Sequence, residues 1–179
     1  MAERMQAPLA AGERETLEGF LDLQRAVVVR KATGLSEDLV RQRLVPSLTT
    51  VAGIIQHLGS AERYWFRARM VGDGWSYPGW PAEGTEAAEG EDPDAEWDVP
   101  STLTMDDVVA DYLRACDESR AIAAGLPLET LAVVPGERGH YVSLRWVYGH
   151  LTAETARHNG HLDILRELLD GSSGWWQDG

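Results

Sequence analysis

Two side chains that can bind a metal, Glu154 and His158, lie four residues apart near the C-terminus of this 179-residue chain. On a helical wheel, both fall in or beside a narrow apolar stripe. Six residues form that stripe: Leu144, Val147, Leu151, Leu162, Leu165 and Leu169. Burial of an unpaired carboxylate is unfavourable by several kcal/mol, so Glu154 needs a compensating partner. Because residues four apart are neighbours on a helix, Glu154 and His158 can reach a single ion.

A third ligand, His57, is available on the second long helix. His57 flanks the apolar arc of that helix, and bundles build metal sites from side chains on facing helices. A set of His57, Glu154 and His158 would leave coordination positions open for water or substrate, as in catalytic sites. Zinc, nickel, iron and manganese suit these ligand types about equally. The residues therefore predict a divalent metal without selecting one.

Structural roles are the alternative for each of these residues. Glu154 and His158 could be a helix-stabilising pair, and His57 could be a hydrogen-bonded core histidine. Two other histidines, His140 and His150, are expected to be structural or solvent-facing. The arginines of the second helix are expected to form a solvated face, and they are Arg63, Arg67 and Arg69.

Hydrophobic periodicity predicts four long helices that position these residues. They cover approximately residues 13–31, 47–71, 104–124 and 144–170. Ser47 and Ser143 are the predicted N-caps of the second and fourth helices, and Gly171 is expected to end the fourth. Helices of this number and length predict an all-α four-helix bundle, which we expect to be a single domain spanning residues 1–179.

Residues 72–103 form a long connection between the second and third helices. This connection contains nine acidic residues, four prolines and no Lys or Arg. Its length permits a crossover between parallel helices, so we do not expect a simple up-down-up-down bundle. Large aromatic residues are atypical of a solvated linker, and we therefore expect the connection to fold back onto the bundle. Its large aromatic residues are Trp75, Tyr77, Trp80 and Trp97.

The composition excludes several classes of partner. A formal charge of -13 and a pI near 4.7 argue against nucleic-acid binding, because phosphate recognition rests on clustered Lys and Arg. No segment approaches the roughly 18 apolar residues of a bilayer span, and the N-terminus lacks the apolar stretch of a signal peptide. The single cysteine, Cys116, is expected to be a buried inert thiol. We therefore expect a cytoplasmic protein that binds neither membranes nor nucleic acids.

Two parts of the chain resemble the DinB-like superfamily of four-helix bundles. This superfamily includes YfiT-type proteins and mycothiol-dependent maleylpyruvate isomerases, and the resemblance is closest to an actinobacterial branch. The first part runs from Ser143–Trp146 through Glu154–His161 to Asp163–Glu167. The second consists of His57 and Leu58 followed by Glu62–Phe66.

The resemblance implies an up-down-down-up bundle and a divalent metal held by His57, Glu154 and His158. Many relatives place histidine at all three positions, whereas Glu154 matches the maleylpyruvate isomerase branch and makes the site one charge more negative. His161, where many relatives have glutamine, is expected to act as a base beside the metal or as a supplementary ligand. Relatives often dimerise, and the tryptophans of the tail, residues 172–179, could serve a homodimer here, but the sequence leaves the oligomeric state open.

The resemblance also suggests the reaction. Characterised relatives use low-molecular-weight thiols such as mycothiol or bacillithiol, and a metal can lower the pKa of a bound thiol or water toward neutrality. We therefore expect a metal-dependent mycothiol-type S-transferase or isomerase that acts on a small electrophile, with the loop aromatics as walls of the pocket. The alternatives are a non-enzymatic metal- or ligand-binding bundle and a metal-dependent hydrolase.

Overall fold

The computed structural model describes residues 6–76, 95–136 and 139–173. The described residues form five α-helices: α1 (Glu13–Ala32), α2 (Glu37–Val40), α3 (Val51–Arg63), α4 (Met105–Ala124) and α5 (Leu144–Asp170). Helix α3 continues directly as a π-helical segment, Tyr64–Val71, and a single 3-10 turn, Ala95–Trp97, precedes α4. Among the described residues, β pairing is limited to one isolated bridge between Leu131 and Ser143. The predicted all-α fold is therefore confirmed.

The helix ends differ from the prediction at one place. Helix α3 begins at Val51 instead of near Ser47, because the Thr50 side chain accepts a hydrogen bond from the Gly53 N–H at 2.9 Å and caps the helix. At α5 the predicted cap is present, since Ser143 accepts from the Trp146 N–H at 3.2 Å. These caps satisfy backbone donors that have no partner inside the helix.

The four long helices pack mainly as two pairs, α1 with α5 and α3 with α4. Residue numbers increase in the same direction along both α1 and α5 in their contacts: Glu13 contacts Arg145 at 2.5 Å, and Lys31 contacts Asp163. These two helices are therefore parallel. Contacts of α3 and its π-helical continuation with α5 run in opposite directions, because His57 meets Glu154 whereas Trp65, eight residues later, meets Trp146. These directions of α1, α3 and α5 are the ones that the predicted up-down-down-up order requires.

A polar layer lies between two apolar parts of the core. On α1, Arg25 lies between Leu21 of one apolar cluster and Val28 of the other. On α5, Leu151 and Leu162 belong to different clusters, and the residues between them include Glu154, Thr155, His158 and Asn159. The candidate metal ligands therefore lie at the level where the leucine-rich core is interrupted.

Arg25 and Glu62 form a buried ion pair within this polar layer. Arg25 donates from Nε to Glu62 Oε1 at 2.8 Å and from Nη2 to Oε2 at 2.6 Å. The two side chains are only 5% and 2% exposed, and this bidentate geometry compensates two charges that would otherwise be costly to bury. The Cys116 Sγ lies 4.0 Å from Glu62 Oε1, and burial raises the pKa of this thiol to about 12. Cys116 is buried, as predicted.

The expected solvated face of arginines is wrong for two of its three members. Arg63 is partly buried and makes a bidentate contact with Asp111 of α4, at 2.8 and 2.9 Å. Arg69 is buried, donates to the Tyr64 hydroxyl and the Pro135 carbonyl, and lies 4.7 Å from the centroid of the Tyr64 ring. The sequence did not reveal these partners, because they belong to other segments or depend on the π-helical turn.

No helix in the described part of the chain combines the length and the apolar character that a membrane span requires.

Candidate metal centre

Three predicted ligands converge where α3 packs against α5. One potential ligand atom from each of His57, Glu154 and His158 lies within 4.8 Å of those of the other two. His57 Nε2 lies 3.4 Å from Glu154 Oε1. Ligands at the usual distances from a tetrahedral zinc ion lie about 3.4 Å from one another. The side chains are therefore close to the spacing that one ion requires.

The electrostatics of Glu154 and His158 favour a cation. Burial opposes ionisation of Glu154, but its contacts with His150 and His57 lower the pKa of Glu154 to about 2. Burial, together with the positive charge of His57, lowers the pKa of His158 to about 4. At neutral pH these two residues therefore present an ionised carboxylate and a neutral imidazole, which are the protonation states that a metal ligand needs.

His57 is held by the segment that connects α3 to α4. Its Nδ1 lies 3.1 Å from Glu96 Oε2, and the ring of Trp97 stacks on the imidazole at 4.6 Å between centroids. Burial opposes a charge on His57, but hydrogen bonds to Glu154 and Glu96 outweigh it and raise the pKa of His57 to about 9. His57 is therefore oriented from two sides before any ion binds.

Close packing attaches this connecting segment to α3. Gln56 donates from Nε2 to the Glu96 carbonyl at 2.7 Å. A Cβ atom at position 53 would lie 2.9 Å from the Trp97 carbonyl oxygen, so Gly53 allows the segment to approach the helix. Of the loop aromatics predicted to wall the site, Trp97 contacts His57, while Tyr77 and Trp80 lie outside the described residues.

Glu96 and His150 are two neighbours of the site that the sequence did not single out. Glu96 is one of nine acidic residues in its loop, and no sequence signal distinguishes it from the others. His150 was expected to be structural or solvent-facing, yet its Nε2 lies 3.1 Å from Glu154 Oε2. Its position four residues before Glu154 is the signal that could have identified it.

The two remaining predicted histidines differ in position. The His161 ring lies edge-on to the His158 ring, with 5.2 Å between the centroids, so it is next to the three converging residues without being one of them. His140 is exposed, as expected. The tail tryptophans Trp175 and Trp176 lie outside the described residues.

The donor set fits a divalent ion. His158 Nδ1 is buried and has no hydrogen-bond partner among the described residues, and a buried polar atom in that state is unfavourable unless something else binds it. Two imidazoles and one carboxylate are ligands that zinc, nickel, iron and manganese all accept. The arrangement can therefore hold a divalent ion and leave room for one further ligand.

Comparison with known proteins adds a family to this geometry. The sequence profile of the mycothiol-S-transferase family matches residues 16–171, which include the three converging side chains and the four long helices except for the first three residues of α1. No curated protein matches the chain. The match covers well over half of the sequence, and the predicted DinB-like resemblance agrees with it, since this family is a member of that superfamily. The chain belongs to the mycothiol-S-transferase family.

Proposed function

We propose that this protein is a divalent-metal-dependent mycothiol S-transferase that acts on a small electrophile. The convergence of His57, Glu154 and His158 carries the proposal, because it supplies a donor set for one ion in a chain of the mycothiol-S-transferase family. The family favours S-transfer over the isomerase activity that the sequence left open.

In this proposal, the three side chains hold a divalent ion, and Glu96 and Trp97 keep the His57 ring in position. When bound, such an ion lowers the pKa of a coordinated thiol toward neutrality. The single carboxylate, Glu154, balances part of the ionic charge. The His57 and Glu154 side chains are 12% and 21% exposed, so the site is partly shielded from bulk water and still open to a substrate.

The reaction that we propose is a nucleophilic substitution at a carbon atom of the electrophile. The thiol of mycothiol gives its proton to a base, and the sulfur electron pair forms a bond to the electrophilic carbon. The electron pair of the broken bond departs with the leaving group. We propose His161 as the base, because its ring lies next to that of His158 and histidine is the commonest general base.

Two expectations from the sequence belong to the same proposal. A small molecule is the expected partner, which agrees with the family. The homodimer that relatives suggest and the cytoplasmic location stay predictions, and analytical ultracentrifugation of the purified chain would test the first.

The experiment that tests the function uses protein prepared without an affinity tag. The protein is stripped with a chelator, reloaded separately with zinc, nickel, iron(II) or manganese, and assayed for conjugation of mycothiol to monochlorobimane by fluorescence. We expect conjugation only after reloading, and none in His158→Ala. The matched control is His140→Ala, which removes an exposed histidine that is not among the three converging residues and should keep full activity.

Three results would contradict the proposal. Full activity in the stripped protein would exclude a metal-dependent reaction. Stoichiometric metal binding without conjugation of any tested electrophile would favour the non-enzymatic alternative. Mass spectrometry that found a hydrolysed electrophile instead of a thioether would favour the hydrolase.

A further inference from the structure

Three aromatic side chains form a cluster beside the candidate metal centre. The rings of Trp146 and His150 are stacked, with 4.8 Å between centroids and 9° between planes. Trp65 lies against both rings, 5.0 Å from Trp146 and 4.7 Å from His150. We call Trp65, Trp146 and His150 the aromatic cluster.

The aromatic cluster is continuous with the proposed ligands. His150 belongs to the cluster and also lies 3.1 Å from Glu154 Oε2. On α5, Trp146, His150, Glu154 and His158 follow one another at intervals of four residues, which places them along one side of the helix. From Trp146 to Glu154 this row covers eight residues, or about 12 Å along the helix axis.

Exposure increases along this row with distance from the metal centre. The Glu154 side chain is 21% exposed and that of His150 is 35% exposed, while Trp146 is 46% exposed. Tryptophan is a large apolar residue that proteins usually bury for the most part. The aromatic cluster is therefore a contiguous, partly exposed patch beside the candidate metal centre, and such patches often mark ligand-binding surfaces.

We propose that the aromatic cluster binds the sugar portion of mycothiol while the thiol end reaches the metal centre. This inference rests on the proposed function. Mycothiol is an elongated molecule in which N-acetylcysteine is joined by an amide bond to a glucosaminyl-inositol unit. Its reactive sulfur and its polyhydroxylated rings lie at opposite ends, which matches a row of side chains on α5 that runs from the less exposed Glu154 to the more exposed Trp146.

The chemistry of the cluster suits sugar rings. One face of a sugar ring presents C–H groups, which pack on the face of an indole, while its hydroxyl groups stay in water. The glucosaminyl-inositol unit carries no carboxylate or phosphate, and the aromatic cluster contains no Lys or Arg. The Trp146 ring therefore offers contact area without requiring a charge on the ligand.

The test compares two thiols in metal-loaded protein. Mycothiol carries the sugar unit, whereas N-acetylcysteine has the same reactive end without it. We expect Trp146→Ala to raise the KM for mycothiol about fivefold to tenfold, as the loss of one aromatic contact predicts, and to leave the KM for N-acetylcysteine unchanged. Trp146→Phe should restore part of the affinity for mycothiol, because it restores an aromatic face.

Tyr141→Ala is the matched control. Tyr141 is an exposed aromatic residue, 54% exposed, that lies outside the aromatic cluster, and its removal should change neither KM. Circular dichroism and the melting temperature of each variant establish that it is folded. If Trp146→Ala raises both KM values equally, or changes neither, the proposal is wrong.

A second measurement separates this inference from the proposed function. N-acetylglucosaminyl-inositol, which has no thiol and keeps the nitrogen as an uncharged amide as in mycothiol, is titrated into metal-free protein while the indole N–H signals are followed by NMR. Saturable shifts of the Trp146 and Trp65 signals that disappear in Trp146→Ala would support the sugar site even if no conjugation activity were found. Absence of such shifts in the unchanged protein at millimolar disaccharide would overturn the inference, whatever the outcome of the activity assay.

Discussion

The Nδ1 of His57 lies 3.1 Å from Glu96 Oε2, and the carboxylate comes from the connection between α3 and α4 instead of from another long helix. This contact leaves His57 Nε2 directed toward Glu154, 3.4 Å away. Histidine ligands of metals commonly donate their second N–H to a carboxylate, which fixes both the tautomer and the orientation of the ring. Glu96 therefore has the position of a residue that orients His57.

Replacing Glu96 should weaken metal binding without removing a ligand. We expect Glu96→Ala to raise the dissociation constant for zinc by about tenfold to a hundredfold, the usual effect of removing a partner of a ligand. Glu96→Gln should lose less zinc affinity, because its amide oxygen can still accept a hydrogen bond from His57 Nδ1. Competition with a chromogenic chelator measures these constants. Asp98→Ala is the control, since Asp98 is an exposed acid two residues away; equal effects at both positions would indicate general electrostatics instead of orientation.

The ligand assignment predicts different outcomes for two neighbouring histidines. His158→Ala should bind well below one metal ion per chain. Elemental analysis of tag-free protein, after it has been reloaded with metal, measures this ratio. His161→Ala should retain most of the metal, because His161 is not among the three converging residues, and should lose conjugation activity if it is the base. Equal loss of metal in the two variants would mean that the assignment is wrong.

The metal-free protein should show two histidines with pKa values displaced in opposite directions. We expect the His57 ring signals to titrate with a midpoint near 9 and those of His158 near 4, measured by NMR of the imidazole C–H groups. Protonated His57 interacts with its carboxylates, so this contribution to stability is complete below about pH 6.5 and is lost as pH rises through about 9.

The same titration sets the pH dependence of metal binding. A metal must displace the proton of His57 below about pH 9, so the apparent affinity should rise about tenfold per pH unit from pH 7 toward 9. His158 stays neutral in this range and adds no further slope. In Glu96→Gln the titration midpoint of His57 should fall, because one of the two carboxylates that raise the pKa of His57 is gone. An unchanged midpoint would contradict the contact between His57 and Glu96.

Two glycine-to-alanine variants should change stability in opposite directions. At position 53 the added Cβ would lie 2.9 Å from the Trp97 carbonyl oxygen, so Gly53→Ala should lower the melting temperature and, by displacing Glu96, weaken zinc binding. At position 149 an added Cβ meets nothing within 4 Å. Gly149→Ala should therefore stabilise α5 by about 0.5–1 kcal/mol, the difference in helix propensity. Urea unfolding measures the free energy of unfolding of both variants. An unchanged value in Gly53→Ala would indicate that the connecting segment is not closely packed on α3.

The long helices and two of the three proposed ligands could be predicted from local pattern. Apolar periodicity is a property of neighbouring residues, and it indicated α1, α4 and α5 to within a few residues. Glu154 and His158 were recognisable because a polar residue in an apolar stripe is unfavourable without a partner. His57 needed the additional assumption that its helix faces α5, which the 3.4 Å approach to Glu154 supports.

The start of α3 shows where local pattern was insufficient. Both Ser47 and Thr50 can cap a helix, and the sequence does not choose between them. Thr50 caps α3 in the fold, and Gly53, next to this cap, allows the Trp97 segment to pack against the helix. The choice therefore depends on a contact between residues far apart in the chain.

The sequence by itself determined the helices, the polar interruption of the leucine stripe and the type of ligand at the centre, because these follow from spacing along a single helix. Only the tertiary structure decided that Glu96 contacts His57, that His150 joins Trp146 to Glu154, and that Arg63 and Arg69 have partners. Each of these contacts joins residues on different segments or depends on the local turn of a helix. Their formation depends on how the helices pack, and no periodicity within one segment records that packing.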